Sequence, residues 1–556
     1  MWGRTPPWHD DAMPHDPVPA HPATAGPPVT AAAPPVAPGS PSGLARTPRL
    51  AVAVIAGAAF AAEMAVSARY GYHRDELYFL QAGQHPALGY VDQPPLTPLA
   101  ARAMAALTGN TLAGLRLLPA AVLAALVILA AAMSRLLGAG RAGQIVAALA
   151  TATCGEYLAA AHLFSTTTLD FGFWALTLYF VLRLICSSDP RWWVAIGACA
   201  GVAASTKWTI GVLAAALLAG FVCTSSRALL RSRYLLIGAV LAAALASPDI
   251  IWQAQHGWPN LAVFHALHGQ AGHNMAVYWP AQILYTGFVL TPVWVAGVWW
   301  CLRHPDAAPF RPVGIASVIT VVAFFVAGGK PYYAGGIFTF LFAAGAVPTQ
   351  RWLARGWLAQ GRLARGRLAR GWLARGRLAR GRLRPAWAAA ALALSTAVIV
   401  PIALPALPAR VLATVPLQKI NYDLAETIGW PALVALVARE YHALPPAQRA
   451  TTAILAGNYG EAGAIDRYGP GDGLPPAFSG NNSFWFWGPP PARDRSAIAV
   501  NMDPALLRRL FTSVRQVAVF RNGLRVSDDE QGAVIDEVSG LRTSWANAWP
   551  QLRDFS

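Results

Sequence analysis

The chain has 556 residues, 55% of them apolar and only 12% charged, with 21 Trp and a mean hydropathy of +0.40, which excludes a soluble multidomain enzyme and places it among membrane proteins. The formal net charge is +17, yet eleven of the Arg residues lie between Arg351 and Arg384 in a pentapeptide repeat, so the charge is no nucleic-acid signal and no nucleic-acid partner is expected. The five cysteines (Cys154, Cys186, Cys199, Cys223, Cys301) fall in or beside apolar spans and imply neither a disulfide framework nor a CxxC metal pair.

In chain order, residues 1–48 are rich in Pro and Ala and too poor in periodic apolar residues to fold, which predicts a disordered tail. A cleavable signal would put its apolar segment within the first ~30 residues, whereas here that segment starts near Leu50. Windows of about 20 residues, enough to cross roughly 30 Å of hydrocarbon, pick out eleven spans: 50–68, 113–133, 143–163, 169–186, 192–206, 208–224, 234–252, 279–301, 312–328, 332–350 and 386–406. Arg46, Arg49, Arg135, Arg141, Arg183, Arg191, Arg227, Arg231, Arg233, Arg303 and Arg311 fall in every second loop. Cytoplasmic loops accumulate such charge, so the N-terminus is expected inside. The first loop (69–112), Asp170, the 253–278 segment, Lys330 and everything from about 407 onward then face outward, in a bacterial inner membrane.

The first outer loop contains His73-Arg74-Asp75-Glu76-Leu77-Tyr78, then Gly89-Tyr90-Val91-Asp92-Gln93-Pro94-Pro95-Leu96. An acidic pair at the mouth of a membrane helix is expensive, which marks it as functional; the bland alternative is a pair that caps the next helix. Beyond the double proline, Leu96, Leu99, Ala100, Ala103, Met104 and Leu107 recur at helical spacing and predict an amphipathic interfacial helix. Residues 49–350 would form the membrane core. The repeat at 351–385, Gly-Arg-Leu-Ala-Arg and variants, has a five-residue period that aligns no apolar stripe, and reads as a cytoplasmic insertion held against anionic lipid headgroups. After a last span (386–406), residues 407–556 regain charge. A helix over 424–442 and apolar runs at Thr452–Ala456, Ala497–Val500 and Val517–Phe520 predict a small α/β domain on the outer face. The fold class is therefore α: a polytopic helical bundle with a small extracytoplasmic α/β domain.

A carboxylate on the outer side of a bundle suits transfer of a sugar from a lipid-linked phosphate carrier. The carrier supplies its own leaving group, so the enzyme must add a carboxylate base, a cation for the phosphate and a greasy groove. Asp75 is the candidate base, with Arg74, Lys207 and Lys330 as candidate phosphate partners. A loose cluster of His256, His265, His268 and His273 leaves a divalent metal ion open, and nothing in the residues demands a cofactor.

The first outer loop resembles that of bacterial glycosyltransferases in the family 39 group, which includes protein O-mannosyltransferases and aminoarabinose transferases of the GT-C fold. Ser165-Thr166-Thr167-Thr168-Leu169-Asp170, Thr206-Lys207-Trp208-Thr209, Trp252-Gln253 with His256-Gly257-Trp258-Pro259, and Gly329-Lys330-Pro331-Tyr332-Tyr333 fit as well. The resemblance implies a polyprenyl-phosphate sugar as donor and, by position, Asp75 as general base of an inverting displacement, supported by Glu76. It implies Asp170 as a second acidic residue, and Lys330 with Tyr332 and Tyr333 near the lipid phosphate. Tyr78, Asp92, Gln93, Asn458, Glu461 and Asn481 are the candidates for acceptor or sugar binding. The expected partners are the lipid-linked sugar, membrane lipids and an acceptor protein, lipid or glycan. Some relatives bind a metal through an acidic residue and a His, but that pair is not locatable here. The rival reading is a transporter or flippase of lipid-linked sugars, although such a protein should show paired halves or charges at span centres.

Overall fold

The computed structural model describes residues 45–365, 372–415 and 417–555. Residues 1–44 of the expected tail, and the side chains at 355–383 in the Arg-rich repeat, lie outside the described part.

Helices form where the apolar runs are long and their first turns are capped. α1 (Arg49–Val66) leads into α2 (Arg74–Gln84) and α3 (Leu96–Thr108), which together build the first loop. α4 (Leu112–Leu136) opens on Thr111, whose hydroxyl accepts from the Gly114 amide. α5 (Arg141–Ala152) and α6 (Gly155–His162) follow each other with a bend of 52°. α7 (Thr166–Ser187) is capped by Ser165, which accepts from the Thr168 amide. There follow α8 (Trp192–Ala204), α9 (Ile210–Val222), α10 (Arg233–Gln255), α11 (Pro259–His268), α12 (Ala271–Thr286), α13 (Thr291–Arg303), α14 (Arg311–Val326), α15 (Phe338–Arg365) and α16 (Trp372–Ala403).

All eleven expected spans are helical, but six helices among the described residues are long and apolar enough to cross a membrane, or eight if each bent pair counts as one. The fifth and sixth expected spans, α8 and α9, have 13 residues each. At 1.5 Å per residue that is about 20 Å, short of the hydrocarbon thickness. The eighth is bent by 105° between α12 and α13, where Gly287 takes φ +98°, a backbone state that favours glycine. The 253–278 segment, expected as a loop, holds the helix α11. Into the repeat the backbone continues helical to Arg365 and resumes at Trp372, because Leu, Ala and Arg are all good helix formers.

The C-terminal part contains α17 (Trp430–Ala443), the short α18 (Pro446–Arg449), β1 (Thr452–Ala456), α19 (Tyr459–Tyr468), β2 (Ala477–Ser479), α20 (Phe484–Trp487), β3 (Ser496–Val500), β4 (Phe511–Val519) and β5 (Val534–Leu541). The strand order is β2-β1-β3-β5-β4, parallel across β2, β1 and β3 and antiparallel across β3, β5 and β4. Ile454, Ala456, Ile498 and Val500 point to one side, and Ala453, Leu455, Ala497 and Ala499 to the other, following the two-residue period of a strand. The first side shares a core with Leu77, Tyr78 and Leu80 of α2 and Leu115 of α4. Sheet and first loop are therefore one packed body, which fixes the loop from both sides.

Candidate active site

α2 starts with a capping box: the Asp75 amide donates to His73 Nδ1 (3.2 Å), and the His73 amide donates to Glu76 Oε2 (2.9 Å). Glu76 is fully buried. Arg116 of α4 grips both its oxygens, Nε to Oε1 at 2.9 Å and Nη2 to Oε2 at 2.7 Å, and the Phe164 amide adds a fourth bond at 2.9 Å. Arg116 also donates to the Ser67 and Gly71 carbonyls and contacts His162. Glu76 thus ties the loop to α4 and to the turn before α7. Removing one member of such a buried pair typically costs about 3–5 kcal/mol. The expected catalytic partner of Asp75 is placed in a buried ion pair, with its side chain turned into the protein.

Asp75, the next residue back, is half-exposed. The Tyr459 hydroxyl, from the first turn of α19, donates to Asp75 Oδ1 at 2.7 Å. A cavity of about 590 Å³ opens beside it. Its polar end has His73, Asp75, Lys330, Tyr332 and Asp423. Its long, largely apolar wall comes from α6, the α12–α13 bend and α16, with Phe288, Leu394 and Val398 among the lining and Glu156 of α6 the one acidic residue set into it. Phe288, Leu394 and Val398 are also exposed to the outside of the bundle, so the wall is open along its flank.

Lys207 lies beside this chamber, with Nζ 4.5 Å and 5.1 Å from the Tyr333 and Tyr332 ring centres and 3.2 Å from the Thr167 hydroxyl. Lys330 Nζ lies 6.0 Å from the Tyr332 ring. Asp170 is buried and accepts from the Thr209 hydroxyl at 2.8 Å. The two lysines and two tyrosines are thus brought together next to the cavity, with Asp170 behind them. Arg74 is turned away: it contacts Asp529 at 2.6 Å and Glu426 at 3.5 Å, and stacks 5.1 Å from the Tyr459 ring. The acids of the C-terminal segment hold it.

Tyr78 is buried, donates to Asp92 Oδ1 at 2.8 Å and accepts from the Ser483 amide at 3.3 Å. Burial pushes the Asp92 carboxyl up to about 7, against the stabilising hydroxyl of Tyr78. Gln93 is buried at the start of the double-proline turn, where its carbonyl accepts from the Tyr90 amide. Asn458 and Glu461 form a second capping box at the start of α19. Asn481 Oδ1 accepts from the Tyr459 amide at 3.2 Å, and Asn501 holds Glu461 at 2.8 Å. Of the polar groups expected to meet a sugar, Asn458, Glu461 and Asn481 hold the first turn of α19, which carries Tyr459, Tyr78 and Asp92 bond each other, and the buried side-chain amide of Gln93 has no hydrogen-bond partner among the described residues. Among the described residues, no group of three or more His, Cys, Asp or Glu is placed to hold a metal ion, and His256 stacks instead on Trp252.

Residues 92–252 match the family model described as dolichyl-phosphate-mannose-protein mannosyltransferase, which bears out the resemblance read from the first loop. No curated protein matched the chain. In three dimensions it is similar to ArnT from Cupriavidus metallidurans bound to undecaprenyl phosphate, with TM-score 0.53 and 17% identity over 87% of this chain and 97% of that one. The apo state of the same protein gives TM-score 0.52 and 17% identity over 88% and 97%. The fold is GT-C.

Within this GT-C chain, the contributions hidden from sequence reasoning are Tyr459, Asp423 and Arg116. Tyr459 follows an Asn N-cap in Asn458-Tyr459-Gly460-Glu461, so its place on the first turn of a helix was readable, but its target 384 positions earlier was not. Arg116 had a clearer signal: a lone Arg inside an apolar helix demands a buried carboxylate partner.

Proposed function

We propose that the chain is a membrane glycosyltransferase that moves a sugar from a polyprenyl-phosphate donor to an acceptor hydroxyl outside the cytoplasm, with inversion. What supports this most is a single cavity whose apolar wall, open along its flank, ends on a carboxylate and a lysine. An isoprenoid tail fits that wall, and its phosphate then lies at the polar end with Lys330. Asp75 removes the acceptor proton as the acceptor oxygen bonds to the anomeric carbon. The bond from that carbon to the phosphate oxygen breaks, the electron pair leaves with the polyprenyl phosphate, and the proton stays on Asp75. Tyr459 fixes one Asp75 oxygen, so the other faces the substrate. Lys207, Tyr332 and Tyr333 supply positive charge and shape around the phosphate, Asp170 orders Thr209 and Lys207, and Glu76 is a positioning residue. The relative ArnT was solved with undecaprenyl phosphate, which matches the donor class proposed.

Orientation with the N-terminus inside puts the first loop and the α/β domain on the outer side; the core they share supports placing both on one side of the membrane. The test is turnover of a polyprenyl-phosphate sugar by purified protein. Asp75→Asn keeps the size of the side chain and its bond with Tyr459 while removing the base, and should lower kcat by roughly 100- to 10,000-fold. Undiminished turnover by the folded variant would sink the assignment.

A further inference from the structure

His73 does more than cap α2. Its ring is more than nine-tenths buried. Because Nδ1 accepts the Asp75 amide proton, the neutral ring must carry its own proton on Nε2. Among the described residues that Nε2 has no hydrogen-bond partner. His73 and Asp423 both line the polar end of the cavity beside Asp75, with Nε2 3.7 Å from Asp423 Oδ1. At that distance the two atoms do not bond each other. They are spaced for a third atom: an oxygen about 2.9 Å from both closes a triangle with ordinary hydrogen-bond lengths. That oxygen must accept from Nε2–H and donate to a carboxylate at once, which a hydroxyl does and an ammonium, a carbonyl or a phosphate oxygen does not.

We propose that His73 and Asp423 form a subsite that reads one hydroxyl of the donor sugar, the hydroxyl accepting from His73 Nε2–H and donating to Asp423. The inference rests on the donor reading above and names what distinguishes a sugar-bearing carrier from the bare lipid phosphate. Asp423 lies twenty residues beyond the end of α16 at Ala403 and next to Ile420, Asn421 and Tyr422, which also line the cavity, so the subsite joins the first loop to the C-terminal segment. It sits on the Asp75 side of the chamber, where the sugar of a donor anchored by its phosphate near Lys330 would lie.

The test uses full-length protein in nanodiscs and measures affinity for undecaprenyl phosphate and for undecaprenyl-phosphate mannose, glucose and arabinose. In the wild type at least one sugar-bearing lipid should bind more tightly than the bare phosphate. In H73N the ratio of the two affinities should fall roughly 10- to 100-fold, the worth of a hydrogen bond involving a charged or buried group. Asn still caps the helix, since it is among the best N-cap residues, but it does not extend a donor to the Nε2 position. D423N changes an exposed side chain, so its folding is not in question, and should lower the same ratio. Retention of the ratio in both variants overturns the subsite, as does a wild type that binds no sugar-bearing probe better than undecaprenyl phosphate, the result for a pair bridged by water only. Failure to bind undecaprenyl phosphate in any form would instead remove the donor reading beneath it.

Discussion

Asp75 and Glu76 are neighbours in sequence, but successive residues of a helix point about 100° apart, and this alone sends one into the cavity and the other into the Arg116 pair. The same logic separates Arg74, which turns to Glu426 and Asp529. Glu530 extends that acidic group. It is buried, neither of its oxygens has a hydrogen-bond partner among the described residues, and burial, with Glu426 and Glu461 nearby, raises its carboxyl to about 9. The folded state therefore holds a proton that the unfolded chain, with an ordinary value near 4.5, releases. Stability is fullest below about pH 4.5 and declines as pH rises toward about 9. Glu530→Gln should flatten that slope and raise thermal stability at pH 8, by an amount on the order of 1–3 kcal/mol, read from melting curves across the range; a slope unchanged in the variant would refute the assignment. Sequence reasoning found the cavity-facing residues Asp75, Lys330 and Tyr332, because each interrupts an apolar context. That Asn458, Glu461 and Asn481 bond the start of α19 was not legible, because an Asn or Glu at a helix start has the same appearance whether it binds a ligand or a backbone amide.

Between elements, the decisive contact is α19 on α2. Gly460 and Gly463 face α2 so closely that an added Cβ would lie 2.9 Å from the Arg74 Cβ and 3.0 Å from the Leu77 Cβ. Two glycines three apart let the helices approach until the Tyr459 hydroxyl reaches Asp75. Gly463→Leu should push α19 outward at a cost of about 1–3 kcal/mol and cut turnover at least tenfold while leaving the membrane helices folded. Limited proteolysis would show residues 407–555 loosened; full turnover in the variant would show that the approach is not needed. The helices themselves were legible, since twenty apolar residues specify little else. The two breaks were not, because Gly287 tells only that a turn is cheap there and its neighbours decide whether it is taken. Of the sheet, β1 and β3 stood out as continuous apolar runs, whereas β2 is three residues long and β5 carries Asp536 and Glu537, patterns too short or too mixed to mark a strand.

At the scale of the molecule, the Arg-rich repeat joins two helices that already meet: Arg384 lies over the Trp352 ring at 5.4 Å and donates to its carbonyl at 3.4 Å. Replacing residues 356–382 by a short Gly-Ser linker should change turnover of a polyprenyl-phosphate sugar by less than about twofold, as for surface changes elsewhere. Loss of activity in a folded deletion would give the repeat a role of its own. α16, the helix that the repeat leads into, is nearly bare: only 6% of its apolar stretch is buried inside the protein. Since that helix is also a wall of the chamber, the lipid-linked donor proposed above would meet the protein by sideways diffusion within a two-dimensional sheet. Reaction velocity would then follow how densely the carrier populates the bilayer, and adding inert lipid at constant bulk amount should slow the protein as effectively as dilution slows an enzyme in solution.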